Sequence, residues 1–96
     1  SPTLPPLPPP EEPSRFQVAS QGLVLIEGRI PIAEAKVFIF NHNTQAIAGE
    51  FVHDFSYAIE VGAKPGDFLQ LWYSAANIES ETVNFDLPDA LEPKAP

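Results

Sequence analysis

The side chains with the clearest capacity for catalysis or metal binding in this chain are two histidines and a scattered set of carboxylates. His42 falls in a turn and His53 at a junction between two strand-like segments, without the close helical pairing that metal sites favour. The carboxylates lack the Asp-x-Asp-x-Asp-Gly spacing of calcium loops; they include Asp54, Asp67, Glu79, Glu81, Asp86 and Asp89. We therefore expect solvated histidines and surface carboxylates, with no metal and no other cofactor.

Catalytic motifs are also missing from the sequence. There is no glycine-rich phosphate loop, no nucleophile elbow, and no serine placed in recognisable order with a histidine and a carboxylate. The 96 residues include no cysteine, which removes thiolate nucleophiles and the usual sulfur-ligated zinc sites. The sequence predicts a protein that is not an enzyme.

Large apolar side chains at outward strand positions stand out instead. Lys36, Gln70 and Ser74 share their faces, so these faces are not simply core strands misread. A sizeable apolar patch on a monomer marks an interaction surface, and aromatic residues dominate the binding energy of interfaces. Alternation leaves open whether these side chains converge or are covered by tails and edge strands. The candidate protein-binding residues are Leu23, Leu25, Phe38, Phe40, Phe68 and Trp72.

Period-two alternation defines the elements that must position these residues. In Phe55–Val61, for example, aromatic and aliphatic residues alternate with Ser56, Ala58 and Glu60. No segment of useful length has apolar residues at helical spacing. The pattern predicts one all-β domain, a seven-stranded antiparallel β-sandwich. We expect its strands over Arg15–Ser20, Leu23–Ile30, Ala35–Asn41, Ala46–Val52, Asp54–Val61, Asp67–Ala75 and Glu81–Leu87.

The same alternation assigns the buried face of each strand. A register slip of one residue would bury Glu60, Asn84 and Asp86, at a cost of several kcal/mol for each unpaired charge. The register is therefore well specified. The predicted core consists of Val24, Ile26, Ile30, Val37, Ile39, Phe55, Tyr57, Ile59, Val61, Leu69, Leu71, Tyr73, Val83, Phe85 and Leu87.

Proline content divides the chain into a domain and two tails. Residues 1–13, SPTLPPLPPPEEP, predict a disordered, extended polyproline II linker, because consecutive prolines lock φ and lack amide donors. Residues 14–87 form the predicted β-sandwich domain. Residues 88–96 lack an apolar pattern and predict a flexible C-terminal tail.

The charge balance narrows the class of partner. The net charge is −8, and the five basic residues are scattered along the chain. Nucleic acid and anionic lipid would be repelled, because both are bound through clustered basic residues. No apolar run approaches the ~20 residues that a membrane-spanning helix requires. We therefore expect no nucleic-acid partner and no membrane span.

Three segments carry a family resemblance. Gly28–Val37 places glycine, proline and small residues ahead of a valine strand, Phe55–Val61 is a strand led by an aromatic residue, and Gly66–Leu71 is the turn and strand that follow. In these features the stretch from Gly28 to Leu87 resembles the carboxypeptidase regulatory-like, transthyretin-like group of β-sandwich domains. It departs from the group's pattern at Glu34 and Asp54, where glycines are common.

The resemblance implies a small immunoglobulin-like (Ig-like) or transthyretin-like module. Such modules are common in exported and cell-envelope proteins, and they usually serve as adhesive, structural or accessory domains without enzymatic activity. We expect an extracytoplasmic location in the periplasm, in the outer membrane or at the cell surface. The partner would be another envelope or secreted protein, and the proline-rich stem would tether the domain. Ser1 at the N-terminus would also suit a trimmed lipoprotein with a lipid anchor upstream.

Two other functions stay open at this point. The segment Leu4–Pro10 could be a proline-rich peptide ligand for an aromatic-lined groove, since a preformed polyproline II helix binds at small entropic cost. Alternatively, Trp72 or Tyr73 could stack on a sugar ring in a carbohydrate-adhesion module.

Overall fold

The computed structural model describes residues 4–96 and contains eight β-strands and no helix within that range. Seven of the strands lie where the sequence predicts them, to within two residues at most ends. Ile78–Glu79 is additional, and it is too short for alternation to reveal. The strands are β1 (Arg15–Ser20), β2 (Leu23–Arg29), β3 (Ala35–Asn41), β4 (Ile47–Val52), β5 (Ser56–Gly62), β6 (Phe68–Ala75), β7 (Ile78–Glu79) and β8 (Val83–Asp86).

The strands form two antiparallel sheets. One sheet has three strands in the order β1-β2-β5. The other has five strands in the order β4-β3-β6-β7, and β8 pairs with β6 beside β7. The all-β prediction is therefore confirmed, and the chain crosses between the sheets several times. Nothing in the described range is a helix long and apolar enough to cross a membrane.

The inward faces of both sheets meet in one hydrophobic cluster. Every predicted core residue is buried except three: Val83 and Phe85 are half-buried, and Phe55 is 50% exposed. The prediction for Phe55 is wrong because β5 begins one residue later, at Ser56. The Asp54 carboxylate accepts hydrogen bonds from the N–H and hydroxyl of Ser56, which turns the chain at this point.

A buried polar pair ties two turns together at one end of the molecule. The side-chain amide of Asn41 donates to the Asp67 carboxylate at 2.8 Å and to the carbonyl of Gly62 at 3.0 Å. The Asp67 carboxylate also accepts from the N–H of Lys64 at 3.1 Å. The sequence places Asp67 on the solvated surface, but its exposure is only 2%. That prediction is wrong because the Asn41 amide and the Lys64 N–H both donate to the Asp67 carboxylate and compensate for its lost hydration.

The N-terminal segment lies against the domain. The N–H of Leu7 donates to the carbonyl of Glu79 at 3.0 Å, and the N–H of Glu81 donates to the carbonyl of Leu7 at 2.9 Å. The hydroxyl of Tyr73 donates to the carbonyl of Pro8 at 2.6 Å. The structure differs here from the predicted disordered linker, because residues between prolines keep their donors and prolines keep their carbonyl acceptors. Residues 1–3 of that linker lie outside the described range.

The C-terminal segment also pairs with a sheet. Glu92 lies parallel to β1, accepting from the N–H of Val18 and donating to the carbonyl of Phe16, each at 2.9 Å. Its side chain accepts from the guanidinium of Arg15 at 2.9 Å. The structure therefore differs from the prediction of a flexible tail at this point. Backbone pairing at the edge of β1 supplies order that a lack of apolar pattern does not reveal.

Candidate protein-binding face

The register of three neighbouring strands brings aromatic residues together on the outer side of the five-stranded sheet. Phe38 on β3 pairs with Trp72 on β6 and with Gly49 on β4. The rings of Phe38 and Trp72 are stacked, with centroids 5.3 Å apart and planes inclined by 18°. The ring of Phe38 also covers Gly49, whose missing side chain leaves room for it. This row is the centre of the candidate face.

A second aromatic cluster continues the face toward one end of the sheet. The ring of His42 packs edge-on against Phe40, with centroids 4.9 Å apart, and lies 5.3 Å from the ring of Phe68. Its Nε2 atom lies 2.9 Å from the amide oxygen of Gln70. His42, predicted to be a solvated loop residue, is exposed, but its ring contacts both Phe40 and Phe68.

Strand β4 adds two apolar residues to the face beyond those predicted from the sequence. Ile47 is 61% exposed and Phe51 is 54% exposed, and both lie on the same side of the sheet as Phe38. Their alternation with Ala48 and Glu50 is too weak to identify a face, because β4 is an edge strand with few buried residues. Their cross-strand partners in β3, Phe40 for Ile47 and Lys36 for Phe51, show which side of the sheet they occupy. We call Phe38, Phe40, Phe68 and Trp72, together with Ile47 and Phe51, the aromatic face.

Leu23 and Leu25 do not join this face. Both lie on β2, on the outer side of the three-stranded sheet, where Leu23 pairs with Gly62 and Leu25 with Glu60. Leu25 is half-buried and Leu23 is 36% exposed. Of the six candidate residues, four therefore converge and two lie on the opposite surface of the molecule.

The charge on the aromatic face is low. The ammonium of Lys36 lies 5.5 Å from the centroid of the Phe38 ring, within the range of a cation–π contact. Lys36 pairs with Phe51 on one side and with Ser74 on the other. Two exposed carboxylates border the face on the same side of the sheet, Asp86 opposite Phe68 and Glu79 opposite Ser74. The centre of the face is thus aromatic and its charges lie at the rim, as in many protein interfaces.

The polar groups away from the aromatic face do not form a reactive site, and the buried one among them, the Tyr57 hydroxyl, has a packing role. A shallow cleft of about 580 Å³ is lined by Glu27, His53 and Tyr57, among others. The Tyr57 hydroxyl is buried and has no hydrogen-bond partner within residues 4–96, and burial raises its pKa well above the ordinary value. Its ring packs so closely on Gly28 that a Cβ atom would not fit there. Tyr57 therefore stays protonated and serves to pack β2 against β5.

Metal-binding side chains do not gather in the described part of the chain. No three histidine or carboxylate side chains lie close enough together there to hold an ion. His53 instead lies 3.2 Å from the carboxylate of Glu34 on an exposed surface. Of the two residues considered for sugar stacking, Tyr73 is fully buried and unavailable, whereas Trp72 is half-buried.

The fold thus defines a small all-β domain of two antiparallel sheets, with an aromatic surface on the larger sheet. Comparison of the chain with protein-family models, with curated proteins and with solved structures finds no match.

Proposed function

We propose that this chain is a non-enzymatic protein-binding module that uses the aromatic face as its binding surface. The observation that carries the proposal is the convergence of Phe38, Phe40, Phe68 and Trp72 on one side of one sheet, where Ile47 and Phe51 extend the surface. Apolar side chains that are exposed to water raise the free energy of the system, and a partner that covers them lowers it. A partner that covers β4, β3 and β6 would bury this surface.

The module belongs, in this proposal, to the Ig-like or transthyretin-like β-sandwiches. The backbone at Glu34 supports that assignment, because its φ of 56° lies in the left-handed region that favours glycine. Glu34 is one of the positions at which the resemblance expects a glycine. The chain keeps the required backbone conformation there with a different residue.

An extracytoplasmic location is part of the same proposal. The proline-rich N-terminal segment suits an accessory domain that is attached through its N-terminal side to the envelope or to another envelope protein. A lipid anchor upstream of Ser1 would provide the tether. The precursor sequence tests this: a signal peptide ending in a cysteine directly before Ser1 supports the anchor, and an open reading frame without an export signal contradicts it.

The contacts of the N-terminal segment disfavour the peptide-ligand alternative. Leu7 uses both its N–H and its carbonyl in pairing with Glu79 and Glu81, and Pro8 accepts from Tyr73. A groove that reads polyproline II would compete with these bonds. For carbohydrate adhesion, the stacking of Trp72 on Phe38 takes up one face of the indole ring, which reduces the area left for a sugar.

Affinity capture with two matched double variants tests the proposed function. The first variant, Phe38→Ser with Trp72→Ser, removes the centre of the aromatic face. The second, Leu23→Ser with Leu25→Ser, makes equivalent changes on the opposite sheet. Both are first shown by circular dichroism and thermal unfolding to keep the fold, and each is used with the wild type to capture partners from an envelope extract.

The proposal expects one protein that is captured by the wild type and by the Leu23/Leu25 variant, and lost with the Phe38/Trp72 variant. That protein is then purified and its dissociation constant measured for all three forms. Loss of one large hot-spot residue typically weakens binding by 2 kcal/mol or more, which is about thirtyfold. Equal capture by all three forms, or capture by none, contradicts the proposal.

A further inference from the structure

Two of the sheet edges are covered by the chain itself. Glu92 pairs parallel with Gln17 along β1, at one edge of the three-stranded sheet. Leu7 forms a parallel bridge to Ser80, directly after β7 on the five-stranded sheet. Unpaired strand edges are sites where another extended chain can add, and here the terminal segments occupy them. The described residues leave the outer edge of β4 without such a cover.

The backbone groups at that edge can be assigned from the ladder pattern. His42 donates its N–H to the carbonyl of Phe68, and Asn41 donates its N–H to the carbonyl of Ala46. Because bonded pairs alternate in an antiparallel ladder, odd-numbered residues of β3 bond to even-numbered residues of β4. The N–H and C=O groups of Ile47, Gly49 and Phe51 therefore point away from β3, toward the free edge.

The two sides of β4 carry different kinds of exposed side chain, apolar on one side and acidic on the other. Ile47 and Phe51 belong to the aromatic face, whereas Glu50 lies on the opposite side, in register with the buried Val37, and is exposed. If a strand were added, its residue opposite Glu50 would point to the same side as Glu50. The residues before and after it in the added strand would point to the aromatic face. Glu50 therefore favours a basic residue at that position, and Ile47 and Phe51 favour apolar residues on either side of it.

The other free edges, those of β5 and β8, are weaker candidates. On β8 the exposed side chains are the polar Asn84 and Asp86, and Val83 and Phe85 are half-buried. The edge strand β5 presents Ser56, Ala58 and Glu60 on its outer side, with no large apolar side chain among them. Added chain would gain backbone hydrogen bonds there but would bury little apolar area. Only the β4 edge combines free backbone groups with exposed apolar side chains in the described part of the molecule.

We infer that the edge of β4 accepts an extended segment of a partner protein in which apolar and basic residues alternate. This inference rests on the proposed function, to which it adds a binding mode and a partner chemistry. The net charge of −8 attracts such a segment over a longer range. A second copy of this chain fits less well, since pairing β4 with its own equivalent brings two Glu50 side chains to diagonal positions between two acidic domains.

A peptide probe tests the inference. The probe is a synthetic peptide of about eight residues in which valine and lysine alternate, matching the length of a typical strand. It is added to isotope-labelled full chain up to millimolar concentration, and amide chemical shifts are followed by nuclear magnetic resonance. We expect shifts concentrated on Ile47, Gly49 and Phe51 and on the β3 residues beside them.

Two peptide controls separate strand addition from general attraction to an acidic protein. The first carries N-methyl groups on alternate amides, which removes the donors that would face β4 and leaves the charge unchanged. The second has glutamate in place of lysine. Strand addition predicts that both controls bind at least tenfold more weakly than the probe.

The Glu50→Lys variant provides the matched test on the protein side. The side chain of Glu50 is exposed and makes no hydrogen bond or ion pair within residues 4–96, so we expect the substitution to leave the fold intact. We expect the valine–lysine peptide to bind about tenfold more weakly and the glutamate peptide to gain affinity, because the cross-strand charge pair is reversed. Glu60→Lys on β5 makes the same change in net charge and should leave binding at β4 nearly unchanged.

Three results would overturn the inference. They are equal binding of the N-methylated peptide, shifts spread over the acidic surface instead of β4, and no binding at millimolar probe. Shifts at β4 that depend on protein concentration without peptide would make a second copy the occupant and would also overturn it. Any of these leaves the capture experiment with the Phe38/Trp72 variant as a separate test of the proposed function.

Discussion

The side-chain amide of Asn41 donates to the Asp67 carboxylate across 2.8 Å in a region from which solvent is almost excluded. This bond joins the turn after β3 to the turn before β6. Since His42 directly follows Asn41 and Phe68 directly follows Asp67, the pair also holds one end of the aromatic face in place. The buried Asp67 carboxylate therefore helps to position the aromatic face.

Acid should weaken the fold through Asp67. The bond from Asn41, and secondarily that from the Lys64 N–H, hold the pKa of this carboxyl below its ordinary value despite burial. A lowered folded-state pKa means that its contribution is complete above the unfolded pKa, about 3.9, and is lost as pH falls through the folded value. We expect the free energy of unfolding of the wild type, measured with urea, to fall below about pH 4.

The Asp67→Asn variant should be less stable than the wild type by about 1–3 kcal/mol at pH 7, because its amide is left partly unpaired. Its free energy of unfolding should also change less between pH 5 and pH 2 than that of the wild type, pH values chosen to bracket the ordinary pKa of about 3.9. Asp89→Asn, at an exposed position, is the matched control and should behave as the wild type. Equal acid sensitivity of Asp67→Asn and wild type would rule out this role.

The two tyrosines should respond in opposite ways to removal of the hydroxyl. Tyr73 donates to the carbonyl of Pro8 at 2.6 Å, so Tyr73→Phe should lower the free energy of unfolding by about 1 kcal/mol. It should also speed hydrogen exchange at the Leu7 amide. The Tyr57 hydroxyl is buried without a partner, so Tyr57→Phe should be neutral or stabilising. Similar losses from both substitutions would contradict the assigned bond.

Alkaline titration provides a second measurement on the same residues. Burial raises the pKa of both Tyr57 and Tyr73 above the ordinary value of about 10. A raised folded-state pKa gives stability that is complete below the unfolded pKa and is lost as pH rises. We expect the tyrosinate absorbance at 295 nm to stay low at pH 10, and to rise together with the loss of near-ultraviolet circular dichroism. Ionisation at pH 10 with the fold retained would contradict the burial of these rings.

Replacing Glu34 by glycine should stabilise the protein. Its φ of 56° is unfavourable for a residue with a Cβ atom, and the exposed contact of its carboxylate with His53 contributes little. We expect Glu34→Gly to raise the free energy of unfolding by about 0.5–1 kcal/mol, after allowing for the greater entropy of glycine in the unfolded chain. Glu60→Gly, within β5 and at ordinary strand geometry, should be destabilising. A loss of stability in Glu34→Gly would show that the His53 contact outweighs the backbone strain.

The sequence alone was enough to locate seven of the strands and most of the core. Alternation is a local property of the chain. Because Val37, Ile39 and Leu71 are buried on one side of their strands, Phe38 and Trp72 must lie on the other side. The exposed position of Phe55 escaped prediction because the hydrogen bond from the Ser56 N–H to Asp54 turns the chain there, so β5 begins one residue after Phe55. The burial of Asp67 escaped prediction because one of its donors is Asn41, 26 residues away at the end of β3.

Only the tertiary structure decided which outward residues form a surface. Phe38 stacks on Trp72 because β3 and β6 are neighbours in register, whereas Leu23 and Leu25 have the same outward parity on the other sheet. Alternation describes which side of its own strand a residue occupies and carries no information about strand order. The same reason explains the terminal segments: Leu7 and Glu92 are ordered by backbone bonds to distant strand edges, which depend on long-range pairing and not on apolar pattern.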